Sequence, residues 1–287
     1  MVPIPLGTQT GGSVIRPAGY MGVVGFTPTF GRISRFGLIP RSYSFDMIGV
    51  MGRSVADAAL SAAAMTGPDQ RDRATLKRTP FKLPDQGSEQ PPRLLLFEDF
   101  FDISSDDINR HVILAVERLE AAGAKIRRAR LPVPLDLMLA LHTVLLITEA
   151  SSTQASNLLN HRKSFASGQL SQLDIGSAIP ATAYIHTQRL RHRIRHQFET
   201  LLKGFDGFIL PSTSEVAPDR STIGPRLCQT PWTILGWPVF TVPVGLGDEG
   251  LPIGVQLVGA PFKESNLINV ADWVERHLDP MPVPGTF

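Results

Sequence analysis

The 287-residue sequence predicts an α/β fold, a mixed and largely parallel sheet flanked by helices. Three observations carry this. Residues 94–131 read as strand, helix, strand, the βαβ unit of a parallel sheet. Residues 239–258 read as two apolar strands joined by a glycine-rich turn, an antiparallel hairpin. Residues 1–52 hold ten glycines with little helical period, which describes short strands, tight turns and close backbone approaches.

The elements follow in order. After the glycine-rich opening, Ser54 is a good N-cap and Asp57 sits three residues on, where it complements the helix dipole. Val55, Ala58, Ala59, Ala62 and Ala63 line one face of that helix, and Gly67-Pro68 ends it. Residues 69–92 are polar and proline-rich, a surface excursion with no core of its own. Leu94–Phe97 is a short buried strand. Ile108, Val112, Ala115, Leu119 and Ala122 keep helical spacing up to Gly123, and Lys125 to Leu131 forms the next strand. Residues 135–160 form one or two helices. From about Ala183, a long helix buries Leu190, Ile194, Phe198 and Leu201 and turns an arginine- and histidine-rich face outward. Phe208–Pro211 is another buried strand. Val239–Val244 and Ile253–Val258 flank the turn at 245–250. A last helix, Ser265 to His277, buries Leu267, Val270, Ala271 and Val274. With neither an internal repeat nor a linker, a single domain spans 1–287.

Composition excludes several classes of function. Lys and Arg number 28 against 26 Asp and Glu, a net charge of +2, without the basic field of a nucleic-acid binder. One cysteine, Cys228, rules out a disulfide framework or a multi-thiolate metal site. The opening Met1-Val2-Pro3-Ile4-Pro5 lacks the basic and apolar regions of a secretory signal, so the expected compartment is the cytoplasm. Leu137 to Ile147, the longest apolar stretch, is short for a membrane span and reads as a buried helix.

The segment carrying the most chemistry is Gly7-Thr8-Gln9-Thr10-Gly11-Gly12-Ser13-Val14-Ile15-Arg16-Pro17. Adjacent glycines allow consecutive amide N–H groups to point at one spot. Placed just before a hydroxyl, they could form an oxyanion hole beside a nucleophile. A phosphate-cradling loop would want a following lysine, and none is present. From spacing alone, a glycine-rich turn capped by Ser13 is the plainer reading.

That segment is continued by Gly22-Val23-Val24-Gly25-Phe26-Thr27-Pro28 and Gly31-Arg32-Ile33-Ser34. Further on come Ser44-Phe45-Asp46-Met47-Ile48-Gly49, Gly236-Trp237-Pro238 and Gly250-Leu251-Pro252-Ile253-Gly254-Val255-Gln256. Together these motifs resemble the amidase signature family, closely at both ends of the chain and loosely between residues 70 and 205. The resemblance implies a Ser–cis-Ser–Lys triad on a mixed sheet flanked by helices. It makes Ser13 the acylated nucleophile and the amides of Thr10, Gly11, Gly12 and Ser13 the oxyanion hole. Arg16 becomes a candidate to hold a substrate carboxylate, with a local salt bridge such as one to Asp46 as the alternative. It implies a small-molecule amide substrate and neither cofactor nor metal; the near-neutral charge and the short apolar stretch leave no nucleic acid and no membrane expected as partner.

One departure stands out. The family places its Lys and second Ser upstream of the nucleophile, and Ser13 lies twelve residues from the start. The six lysines all follow Ser13, and none falls in a family motif. The sequence therefore reads as a fold incomplete at its N-terminus, inactive by itself and completed by a missing N-terminal segment or covered in a homo-oligomer. Three functions stay open: a serine amidase, an inactive or partner-dependent amidase fragment, and the glutaminase-type subunit of a tRNA-dependent amidotransferase. The last ranks lower because such subunits usually carry Asp where this chain has Gln9. His192 and His196 share a helix face, but the surrounding arginines suggest a solvated basic surface. Cys228 suits packing, and Ser212, Thr213 and Ser214 are candidates to line a pocket.

Overall fold

The computed structural model describes residues 2–84 and 87–281. The opening residues do fold into short strands: β1 (Leu6–Gln9), β2 (Val24–Thr27) and β3 (Met47–Gly52). They also hold a helix that the glycine content conceals, α1 (Ile15–Tyr20). Tertiary contacts override its poor propensity. The buried Gln9 side chain accepts from the Val14 and Ile15 amides at 3.1 and 3.0 Å, capping the helix start from outside. Gly19 lets α1 lie close to the sheet, since a Cβ there would sit 3.2 Å from that of Ser212.

The remaining predicted elements appear in the predicted order, joined by three helices that the sequence reading did not name, at residues 99–102, 167–178 and 230–235. α2 (Val55–Ala64) is capped by Ser54, whose hydroxyl accepts from the Asp57 amide at 3.1 Å. β4 (Arg93–Phe97), a short turn of helix α3 (Asp99–Asp102), α4 (Asp106–Ala121) and β5 (Lys125–Ala129) contain the βαβ unit. Residues 135–160 become two helices, α5 (Leu135–Thr153) and α6 (Ala155–Asn160). α7 (Ser167–Ala178) precedes the long basic helix α8 (Ala181–Leu201). The chain then runs through β6 (Gly207–Pro211), α9 (Thr230–Leu235), the hairpin β7 (Val239–Leu246) and β8 (Pro252–Val258), and α10 (Glu264–Arg276).

All eight strands join one mixed sheet, in the order β1-β3-β2-β7-β8-β6-β4-β5. The expectation of a largely parallel sheet needs correction. Only β4–β5 and β4–β6 are parallel, whereas the five other pairings are antiparallel. The reason is connectivity. A βαβ crossover supplies β4 and β5, while β7–β8 is a hairpin, and β3 lies between β1 and β2 and runs opposite to both.

Alternation along the strands places a core on each face. Leu94, Leu96 and Ile209 face α2, α4 and α10, and Leu95, Phe97, Phe208 and Leu210 face α5, α8 and α9. The second core is aromatic. Phe97 lies 4.9 Å from Phe208, Phe198 meets Trp232 edge-on at 5.5 Å, and Trp237 stacks on Phe208 at 5.8 Å. The polar excursion at 69–92 is less detached than predicted: Phe81 is buried and meets Phe26 edge-on at 6.3 Å. Helix α5 is longer than the apolar stretch suggested, and by length and composition alone it could cross a bilayer. Here it is a core helix, burying Met138, Leu141, Leu145 and Leu146 together with the polar His142 and Glu149.

Candidate active site

Strand β1 runs at one edge of the sheet and delivers the chain into a tight loop, residues 10–14, ahead of α1. Ser13 sits on this loop with its side chain exposed, and among the described residues its hydroxyl has no hydrogen-bond partner. The amides of Thr10, Gly11, Gly12 and Ser13 likewise have no acceptor among the described residues, whereas the Val14 and Ile15 amides are both taken by Gln9. Buried amides are nearly always paired, and Gly11 and Gly12 are buried. Four successive unpaired donors beside a free hydroxyl therefore make an unusual patch of backbone.

The loop is held from behind through its carbonyls. The Thr10 carbonyl oxygen lies 2.8 Å from His142 Nε2, and the Gly11 carbonyl accepts from the Thr233 hydroxyl at 2.9 Å. In a trans peptide the C=O and the following N–H point in opposite directions. Fixing these two carbonyls thus turns the Gly11 and Gly12 amides to the other side. Gln9 completes the clamp by donating to Thr233 Oγ1 at 3.1 Å. Thr10 is anchored sideways, its hydroxyl donating to Asp46 at 2.7 Å. The glycines sit in tight surroundings: a Cβ on Gly11 would lie 3.1 Å from Arg226 Cδ, and one on Gly12 would lie 3.0 Å from Gln229 Cβ.

The predicted salt bridge between Arg16 and Asp46 does not form. Asp46 is already saturated by Thr10 and by the Arg41 and Ser42 amides at 2.8 and 2.9 Å. The buried Arg16 guanidinium donates to the Gly224 carbonyl at 2.8 Å and has no carboxylate partner among the described residues. Burial lowers its pKa and also lowers that of Arg226, where the charges of Arg41 and Arg16 add to the effect. The surroundings of the loop are cationic.

No described lysine is placed to serve Ser13 as a buried neutral base: all six are exposed. Lys125 begins β5, at the edge of the sheet opposite β1. Ser212 does not act as an open pocket lining, because its hydroxyl is 2.5 Å from Thr241 Oγ1 and its carbonyl accepts from Gln229. Cys228 is fully buried, and burial pushes its thiol pKa up. His192 and His196 are exposed. Asp107, His111 and Asp248 come close enough to share an ion, yet Arg110 already bridges both carboxylates. Sequence reasoning missed His142, Arg226, Gln229 and Thr233. They reach the loop from α5, from α9 and from the segment before α9, and no local spacing announces such a meeting.

The profile of the family described as Amidase matches residues 1–268. The chain belongs to that family. Its relatives include a glutamyl-tRNA(Gln) amidotransferase subunit from Symbiobacterium thermophilum, 29% identical over 94% of this chain. The corresponding protein of Clostridium botulinum is 30% identical over 96%. Among solved structures, a glutamyl-tRNA(Gln) amidotransferase subunit from Thermotoga maritima superposes with a TM-score of 0.81 at 26% identity, covering 96% of this chain and 62% of that one. The native peptide amidase of Stenotrophomonas maltophilia gives 0.77 at 27% identity, covering 97% and 63%. This amidase-family chain spans 62% and 65% of the length of the Symbiobacterium and Clostridium relatives.

Proposed function

We propose that Ser13 is the nucleophile of a serine amidase and that the amides of Thr10, Gly11, Gly12 and Ser13 form its oxyanion hole. The observation carrying this reading is the run of four unpaired amides beside an exposed hydroxyl. In the reaction, Ser13 Oγ attacks an amide carbonyl carbon while its proton passes to a base. The tetrahedral oxygen takes the negative charge and is met by backbone donors, each worth about 3–4 kcal/mol. Collapse breaks the C–N bond, the nitrogen takes the proton and leaves as ammonia or an amine, and water then cleaves the acyl-enzyme.

The base and the second serine come, in this proposal, from residues outside the 287, on an N-terminal segment or a second chain. The exposure of every lysine supports this. Arg16, buried and without a carboxylate partner among the described residues, is suited to an acid group on the substrate. The likeness to glutamyl-tRNA(Gln) amidotransferases favours a second reading, in which the amide is that of glutamine. Gln9, standing where those proteins usually carry Asp, speaks against it.

An activated-serine probe tests the proposal. The purified chain is treated alone and together with a segment bearing the Lys and a Gly/Ser-rich loop. The expected result is labelling of Ser13 that rises with the segment and vanishes in Ser13→Ala. Labelling that survives Ser13→Ala overturns it, and so does a complemented chain that neither labels nor turns over simple amides. Glutamine turnover that outpaces other amides would decide for the second reading.

A further inference from the structure

A cavity of about 780 Å³ lies between the C-terminal half of α8 and the segments carrying Phe30, Arg78 and Phe262. No residue given a role at Ser13 lines it. Its charge is one-sided, with four arginines (78, 191, 193 and 195) and one carboxylate, Glu199. Arg191 has a structural role: it donates to the carbonyls of Ser44, at 3.2 Å, and Ile234. The other three are poorly matched. Arg195 Nε is 3.4 Å from Glu199, and Arg78 and Arg193 have no hydrogen-bond or ion-pair partner among the described residues. The Arg195 guanidinium is partly buried, and burial lowers its pKa; the charge of Glu199 opposes this and that of Arg78 adds to it. Like charges gathered in a concave site raise its potential and favour a counter-charge.

The floor of the cavity is built at a cost. Phe262 has φ +63°, the only positive φ at a non-glycine among the described residues. A bulky side chain held in that region costs about 1–3 kcal/mol. Its amide donates to Thr29 Oγ1 at 2.9 Å and its carbonyl accepts from Arg32 at 3.1 Å, which pins the conformation. The result is a phenyl ring 3.8 Å from the Arg78 guanidinium carbon, orienting that side chain at the cavity.

We infer that this cavity binds a small phosphate-type dianion through Arg78, Arg193 and Arg195. Planar guanidinium forks match the tetrahedral oxygens of phosphate two at a time. Three arginines with Glu199 leave a net charge that a dianion neutralises. The volume exceeds what inorganic phosphate fills, so a phosphate ester or a diphosphate fits as well. This inference does not rest on the amide chemistry of Ser13.

Calorimetric titration of the full chain with inorganic phosphate and with pyrophosphate tests it, in chloride buffers of matched ionic strength. Saturable one-site binding that weakens with added chloride is expected. Arg78→Gln combined with Arg195→Gln should reduce affinity about tenfold or more, whereas Arg189→Gln, on α8 but outside the cavity, should leave it unchanged. Thermal unfolding in chloride alone checks the variants, which relieve repulsion and should remain folded. The absence of saturation by either anion up to about 10 mM overturns the inference. Binding indifferent to Arg78 and Arg195, or lost equally in Arg189→Gln, overturns it too.

Discussion

His142 Nε2 lies 2.8 Å from the carbonyl oxygen of Thr10. A carbonyl only accepts, so Nε2 carries the proton and the neutral ring presents a bare Nδ1. The ring is buried and stacks on Phe45 at 5.0 Å. Burial is the main reason its pKa falls to about 4, and Arg226, Arg191 and Arg41 push in the same direction against the hydrogen bond to Thr10.

The sign of the pH effect follows. An unfolded histidine titrates near its ordinary value, so between that value and about pH 4 the unfolded chain binds a proton that the folded chain refuses. The stabilisation is complete above about pH 6.5 and is lost progressively down to about pH 4, to the extent of about 3 kcal/mol. Urea unfolding at neutral and acidic pH should show a smaller acid-side loss in His142→Gln than in the parent. Equal losses in the two proteins would contradict this account.

How much of this was legible in the sequence depended on range. Local signals such as the Ser54 cap, the helical spacing of Ile108 to Leu119 and the hairpin at 239–258 named their elements correctly, because the interactions concerned lie within a few residues. Helix α1 was hidden because its cap is a glutamine side chain rather than the residue at its start. The parallel bias of the sheet was overestimated because strand alternation reports faces, and direction depends on connections. The motif pointed to the loop at residues 10–13, where the structure has a run of amides without acceptors among the described residues. The clamp behind them joins residues over 130 positions apart, and no pattern in a single sequence encodes that.

Gln9 occupies a position where neither a charge nor a short side chain would do the same work. Its carbonyl end caps α1 and its amide end donates to Thr233, which in turn holds the Gly11 carbonyl. Gln9→Ala should cost about 1–3 kcal/mol by leaving buried groups unpaired. Amide hydrogen exchange should accelerate at Val14 and Ile15 before it does so in the sheet. Uniform acceleration throughout the chain would show that Gln9 acts on global stability alone.

Glu149 gathers the other support of the loop. It accepts from the Ser42 hydroxyl at 2.5 Å, the Ser44 amide at 2.9 Å and the Tyr184 hydroxyl at 2.8 Å. This ties α5 and α8 to the segment that presents Asp46 to Thr10. Its negative charge also offsets that of the buried Arg191. Glu149→Ala should therefore destabilise by about 1–3 kcal/mol, the range for leaving buried donors without an acceptor. Glu149→Gln keeps some acceptors and should fall between the alanine variant and the parent by urea unfolding.

The edge position of β1 makes a final prediction about association. Among the described strands β1 pairs only with β3, and its other side carries backbone donors and acceptors without a partner strand. Leu6, at the start of that edge, is 61% exposed, and Val2 is exposed nearby. Natural edges are usually blunted by a charge, a proline or a covering element, and Leu6-Gly7-Thr8-Gln9 carries no charge. The chain alone should therefore self-associate with rising concentration in sedimentation or size-exclusion measurements. Leu6→Lys puts a cation on the edge and should shift the equilibrium towards monomer while changing the unfolding free energy by no more than about 0.5 kcal/mol. A segment that adds a strand to β1 should produce the same shift by covering the edge. A chain that stays monomeric at all concentrations would mean that the edge is protected by something other than strand pairing.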